Sequence, residues 1–118
     1  FLEAHYRLGI SLYKQGRMDE AMQRYSEVLR IHPDFAEAHN NLGVVLYNKG
    51  RIDEAIDHYL KALRLKPGYA EAYNNLGGAY LLKGDARAAM SAFQAALRIN
   101  PEYESAQKNL QIVSIPQQ

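Results

Sequence analysis

Residues 70–77 read Ala70-Glu71-Ala72-Tyr73-Asn74-Asn75-Leu76-Gly77, and residues 36–43 read Ala36-Glu37-Ala38-His39-Asn40-Asn41-Leu42-Gly43. The two stretches differ only at His39 and Tyr73, and the offset of 34 residues between them continues outward in both directions. Leu8-Gly9 precedes Leu42-Gly43 by one period. Tyr25, Tyr59 and Phe93 share one register, Gly16, Gly50 and Gly84 another, and Pro33, Pro67 and Pro101 a third. A period of about 20–50 residues marks an array of stacked supersecondary units, each burying its apolar face against its neighbours.

Within each unit, apolar and small residues recur three and four apart on either side of the central glycine, which is the spacing of one helical face. The pattern predicts an all-α solenoid: helix-turn-helix units over 2–35, 36–69 and 70–103, and a partial or capping helix over 104–115, in a single domain over 1–118. In the middle unit the first helix is expected near 36–49, with Ala38, Leu42, Val45 and Leu46 inward, and the second near 52–65. Gly50 suits the left-handed stop between them, because a residue without Cβ takes positive φ at little cost. Pro67 disfavours helix in the residue ahead of it and closes the unit. Asp19-Glu20 and Asp53-Glu54 fall in the first turns of second helices, where carboxylates meet the positive end of the dipole and are expected to cap.

The small residues have a packing reason. Gly43 and Ala55 stand where two helices must approach closely, and Tyr59 fills the space they leave; Gly9 with Ala21 and Tyr25, and Gly77 with Ala89 and Phe93, repeat the arrangement. His5 and His39 share an inward register, which predicts aromatic packing with a satisfied polar tip.

Composition narrows the function classes. Lysine plus arginine, 14, nearly balance aspartate plus glutamate, 13, so no basic field for nucleic acid is present. Cysteine is absent, which removes disulfides, thiolate catalysis and cysteine-ligated metal, and leaves the compartment open. No run of about eighteen apolar residues exists, so no membrane insertion is expected. The four histidines show no metal-ligand spacing such as His-Glu-x-x-His, and the glycines follow the repeat, so neither a metal, a cofactor nor a phosphate-cradling loop is expected.

The succession of Leu-Gly, Ala, an aromatic and Pro at this spacing resembles the tetratricopeptide repeat family. The matching residues are Leu8, Gly9, Ala21, Tyr25 and Pro33; Leu42, Gly43, Ala55, Tyr59, Ala62 and Pro67; and Leu76, Gly77, Tyr80, Ala89, Phe93, Ala96 and Pro101. Three departures stand out: His5 and His39 occupy a position where the family often has a large aromatic, and Val28 one where it has a small residue. The resemblance implies a right-handed superhelix whose first helices line a concave groove, and a non-catalytic scaffold whose partner is a protein or peptide.

On that view the groove is carried by side chains that repeat without facing inward. On the first helices these include Tyr6, Arg7 and Tyr13, then Asn40, Asn41, Val44, Tyr47 and Asn48, then Asn74, Asn75 and Leu81, with Asn109 on the terminal helix. An amide both donates and accepts, so the register-matched Asn41, Asn75 and Asn109 could grip an extended peptide backbone. The series is similar to the asparagine ladder of O-linked N-acetylglucosamine transferases, which residues 70–77 also resemble. The same asparagines could instead bond between adjacent helices. Family members that clamp an acidic C-terminal tail use lysine and arginine here; this chain has Tyr6, Ile10, Glu37, Glu71 and Asn75, and only Asn41 fits, so no affinity for such tails is expected.

Phe1 shares its register with Phe35, Tyr69 and Tyr103, each at the end of a unit, which points to a piece of a longer array. Two alternatives to groove binding follow. The apolar ends, Phe1 with Leu2 and Leu110 with Ile112 and Val113, could stack head to tail as a self-association module. The chain could also be the substrate-selecting part of a larger enzyme such as a glycosyltransferase.

Overall fold

The structure, a computed structural model, describes residues 1–114. The helices are α1 (Leu2–Lys14), α2 (Met18–Ile31), α3 (Ala36–Asn48), α4 (Ile52–Leu65), α5 (Ala70–Leu82), α6 (Ala86–Ile99) and α7 (Glu104–Ser114). Strands are absent among the described residues. Each pair forms an antiparallel hairpin, and the capping helix expected over 104–115 is α7, with residues 115–118 outside the described part.

Every turn inside a hairpin is set by glycine. Gly16, Gly50 and Gly84 adopt φ of 79°, 80° and 86°. At Gly50 the chain closes α3 with two reversed bonds, Gly50 N–H to the Tyr47 carbonyl at 3.0 Å and Arg51 N–H to the Leu46 carbonyl at 2.9 Å, which satisfy carbonyls the helix leaves open.

Asp19, Glu20, Asp53 and Glu54 lie in the first turns of α2 and α4 as expected, but they do not cap them. Neither α2 nor α4 has a side-chain cap: Glu20 and Glu54 instead pair with Arg17 and Arg51, the residues at the cap positions. Asp19 and Asp53 reach the next unit and pair with Lys49 and Lys83. Among α1 to α6, only α6 is capped by a side chain at its start, Asp85 accepting from Ala88 N–H at 3.1 Å.

Close approach within each hairpin takes the form expected of it. A Cβ placed on Gly43 would lie 2.6 Å from the Tyr59 ring, and one on Gly9 2.7 Å from Tyr25; Gly77 meets Phe93 in the same way. Ala38, Leu42, Val45 and Leu46 are all buried. Among the described residues, contacts run between consecutive helices, and beyond that only α1 with α3, α3 with α5 and α5 with α7 meet. The first helices therefore sit side by side on one face while α2, α4 and α6 diverge on the other. The molecule measures 49 × 26 × 21 Å, elongated as nearest-neighbour stacking requires.

Candidate functional site

The face made by α1, α3, α5 and α7 carries two neighbouring rows of polar side chains, and one hydrogen bond joins them at every junction between units. Asn41 Nδ2 donates to the Tyr6 hydroxyl at 3.1 Å, Asn75 Nδ2 to Asn40 Oδ1 at 3.0 Å, and Asn109 Nδ2 to Asn74 Oδ1 at 3.1 Å. Each bond spans 35 residues, one more than the repeat, so a residue of one unit meets the position one further along in the next. Asn48 Nδ2 extends the rule one edge outward by donating to the Tyr13 hydroxyl at 3.1 Å. The amide series thus ties the units together while its second row, Asn41, Asn75 and Asn109, stays half-exposed.

Three adjoining cavities line this face. The first, of about 480 Å³, lies between α1, α3 and α5 and is walled by Tyr6, Ile10, Tyr13, Tyr25, Asn41, Val44, Tyr69, Glu71 and Asn75. A second of about 330 Å³ shares Tyr13, Val44 and Asn75 with the first and adds Tyr47, Asn48, Tyr59, Asn74, Gly78, Ser105 and Asn109. A third of about 300 Å³ shares Tyr47, Gly78 and Asn109 with the second and ends at Leu81, Leu82 and Phe93. The shared walls make one trough along the inner helices.

Two expected groove residues lie elsewhere. Asn40 has no exposed surface, because α5 covers it and its carboxamide is spent on Asn75 and, at 3.5 Å, on Asn41. Arg7 is exposed and turned along its own helix, Nε donating to Glu3 at 2.9 Å, and lines none of the three cavities. Conversely, Tyr69 and Ser105 line the trough, although the sequence marks Tyr69 only as the end of a unit and gives Ser105 no role. Tyr69 shares the register of Phe1, Phe35 and Tyr103, which marks unit ends and says nothing of this face, and Ser105 breaks the register of Glu3, Glu37 and Glu71, so no sequence signal places either in the trough.

Burial shapes the chemistry of the tyrosines. Tyr25, beneath the first cavity, is pushed up to about 12 mainly by burial, and Tyr6 and Tyr69 are raised for the same first reason. Away from the trough, His39 and His58 stack with ring centroids 5.3 Å apart. His39 Nε2 lies 2.8 Å from the Pro33 carbonyl, which can only accept, so that nitrogen carries the proton and His39 Nδ1 accepts from His58 Nδ1–H at 3.1 Å. Burial first, then His39, lower the His58 imidazole to about 4. This pair is a packed, satisfied interior contact, as the inward register of His39 implied. Among the described residues no group of three His, Cys, Asp or Glu converges to hold a metal ion.

A solenoid of helical hairpins with a trough along its inner helices defines the class. Two tetratricopeptide repeat models match, one over residues 6–70 and the other over 49–111. The chain belongs to the tetratricopeptide repeat family. Among solved structures it is similar to the first TPR of Spaghetti (RPAP3) bound to the HSP90 peptide SRMEEVD, at 21% identity and TM-score 0.93, covering 96% of this chain and 90% of that one. It is also similar to the Arabidopsis OM64 TPR domain, at 19% identity and TM-score 0.92, covering 96% and 93%. At that identity the likeness concerns the fold. No curated protein matches the sequence.

Proposed function

We propose that the trough along α1, α3, α5 and α7 holds an extended segment of another protein, and that this chain contributes binding rather than catalysis. The observation that carries the reading is the continuity of the three cavities through shared residues, which offers one uninterrupted track rather than separate pits. Half-exposed amides at Asn41, Asn75 and Asn109 present a donor or acceptor once per unit to a passing backbone, and their likeness to the transferase ladder supports the same role. Because inter-unit bonds already fix these amides, little ordering is lost on binding. That a similar fold holds the peptide SRMEEVD supports peptide binding by such a trough. Its acidic end does not suit this one, where Glu71 lines the first cavity in place of a cation that a terminal carboxylate needs.

Val44 stands between the first two cavities, which makes it the place to block the track. Panning a random peptide library should enrich binders on the native chain and none on Val44→Arg of equal melting temperature. Recovery of the same peptides on both, or of none on either, overturns the reading. Exposed apolar side chains at opposite ends, Phe1 at 82% and Ile112 at 56%, favour a second reading as an end-to-end assembly module. Sedimentation over a hundred-fold concentration range decides it, since stacking requires mass to rise with concentration.

A further inference from the structure

Glu3, Glu37 and Glu71 occupy one register on successive inner helices, yet their surroundings differ. Glu3 is held by Arg7 at 2.9 Å and Glu37 lies 3.6 Å from Lys66 Nζ. No salt bridge among the described residues involves Glu71. Among the described residues it is also the one charged side chain lining the first cavity, whose remaining walls are four tyrosines, Ile10, Val44 and two amides. Its charge is felt there: after burial, Glu71 is the next cause raising the Tyr69 phenol, and it contributes to the rise at Tyr6.

A carboxylate beside the electron-rich faces of tyrosine rings attracts a cation and repels an anion. The molecule already contains this arrangement one edge along the face. Lys66 Nζ sits 4.4 Å from the centre of the Tyr69 ring while it approaches Glu37. A lysine or arginine side chain entering the first cavity would repeat it, its aliphatic stem covering Ile10 and Val44 and its charged head reaching Glu71. We propose that the cavity between α1, α3 and α5 is the specificity pocket of the trough and takes a lysine or arginine side chain of the bound segment, with Glu71 as its counter-charge.

The inference rests on the trough binding an extended segment, and panning of a random dodecapeptide library separates the two. Peptides enriched on the native chain should carry lysine or arginine at one fixed position. In a synthetic copy of the best binder, norleucine at that position keeps the stem and removes the charge. It should bind about three- to five-fold more weakly to the native chain, as for an ion pair whose carboxylate is exposed, and Glu71→Gln should lose about the same for the parent peptide. The norleucine peptide should then lose almost nothing further on Glu71→Gln, and Glu71→Lys should shift enrichment towards aspartate and glutamate. Glu71 is exposed and the glutamine is isosteric, so melting curves of the variants should superimpose on the native one. Exchanging lysine for arginine in the parent peptide tells which of the two the pocket prefers. Peptides that Val44→Arg abolishes but that show no basic position, or a norleucine penalty undiminished on Glu71→Gln, overturn the pocket and leave the trough standing. Enrichment of no peptide at all overturns both.

Discussion

The hairpins α3–α4 and α5–α6 begin with nearly the same eight residues and bring their helices together over the same small residues, Gly43 with Ala55 and Gly77 with Ala89. Their interiors nevertheless differ. Where the second hairpin stacks His39 on His58, the third has Tyr73 and Ala92 at the equivalent positions, both packed into the main apolar core. Where α4 starts with Arg51 gripping Glu54, α6 starts with Asp85 capping Ala88. The contrast shows that the backbone is set by a few close contacts, and that the residues beside them vary as long as every buried polar side-chain atom finds a partner, which holds throughout the described residues.

If those close contacts set both hairpins, the ring each glycine receives should matter equally in the two. Tyr59 and Phe93 are essentially fully buried. Tyr59→Ala and Phe93→Ala should each cost about 3–5 kcal/mol in urea unfolding, as large aromatic deletions from a core do. A difference of more than about 1 kcal/mol between the two would show that the hairpins do not share one packing solution.

The converse change fills the approach instead of emptying it. Gly43→Leu pushes a side chain into the Tyr59 ring, where even a Cβ is too close, and should cost about 1–3 kcal/mol by overpacking. Gly78 lies one residue beyond the matching glycine of α5 and would meet nothing within 4 Å on gaining a Cβ. Gly78→Ala should therefore raise the melting temperature, as replacing glycine inside a helix does.

The histidine pair offers a sharper division, because only the second hairpin has it. Above about pH 6.5 the imidazoles are neutral whether the chain is folded or not. Below that, the unfolded chain binds a proton that folded His58, lowered to about 4, does not. Stability should fall as pH drops from about 6.5 to about 4 and level off once His58 itself titrates. His58 is partly exposed and its neighbours Glu54, Asp57 and Lys61 are solvated, so the loss should be about 1–2 kcal/mol. The double change His39→Tyr with His58→Ala, which gives the second hairpin the third's pair, should abolish this dependence. A slope that persists would place the titrating group elsewhere.

Legibility in the sequence follows the same division. Helix ends, inward faces and the glycine–aromatic contacts could be read because each rests on residues within one unit, such as Gly50 in its turn or Gly43 against Tyr59. The site was harder to read. Asn40 and Asn41 are adjacent and chemically identical, so only the neighbouring helix decides which is covered, and that depends on the 35-residue step between units rather than the 34-residue repeat. Asp19 and Asp53 look like caps in the sequence for the same reason: their lysine partners lie 30 residues away, in the next unit.

Those cross-unit ion pairs supply the smallest expected effect. Lys49 with Asp19 and Lys83 with Asp53 join second helices to the following first helices at both internal junctions, but each aspartate is largely exposed. Solvent screening should leave each pair only a small contribution, so Lys83→Ala should lower the urea midpoint only slightly and Lys49→Ala by the same amount. Salt should weaken both pairs alike. If Lys83→Ala instead separated the melting of α5–α7 from that of α1–α4, the junction would be held by charge rather than by the apolar and amide contacts along α3 and α5. In that case the trough, which crosses this junction, would not be a preformed track.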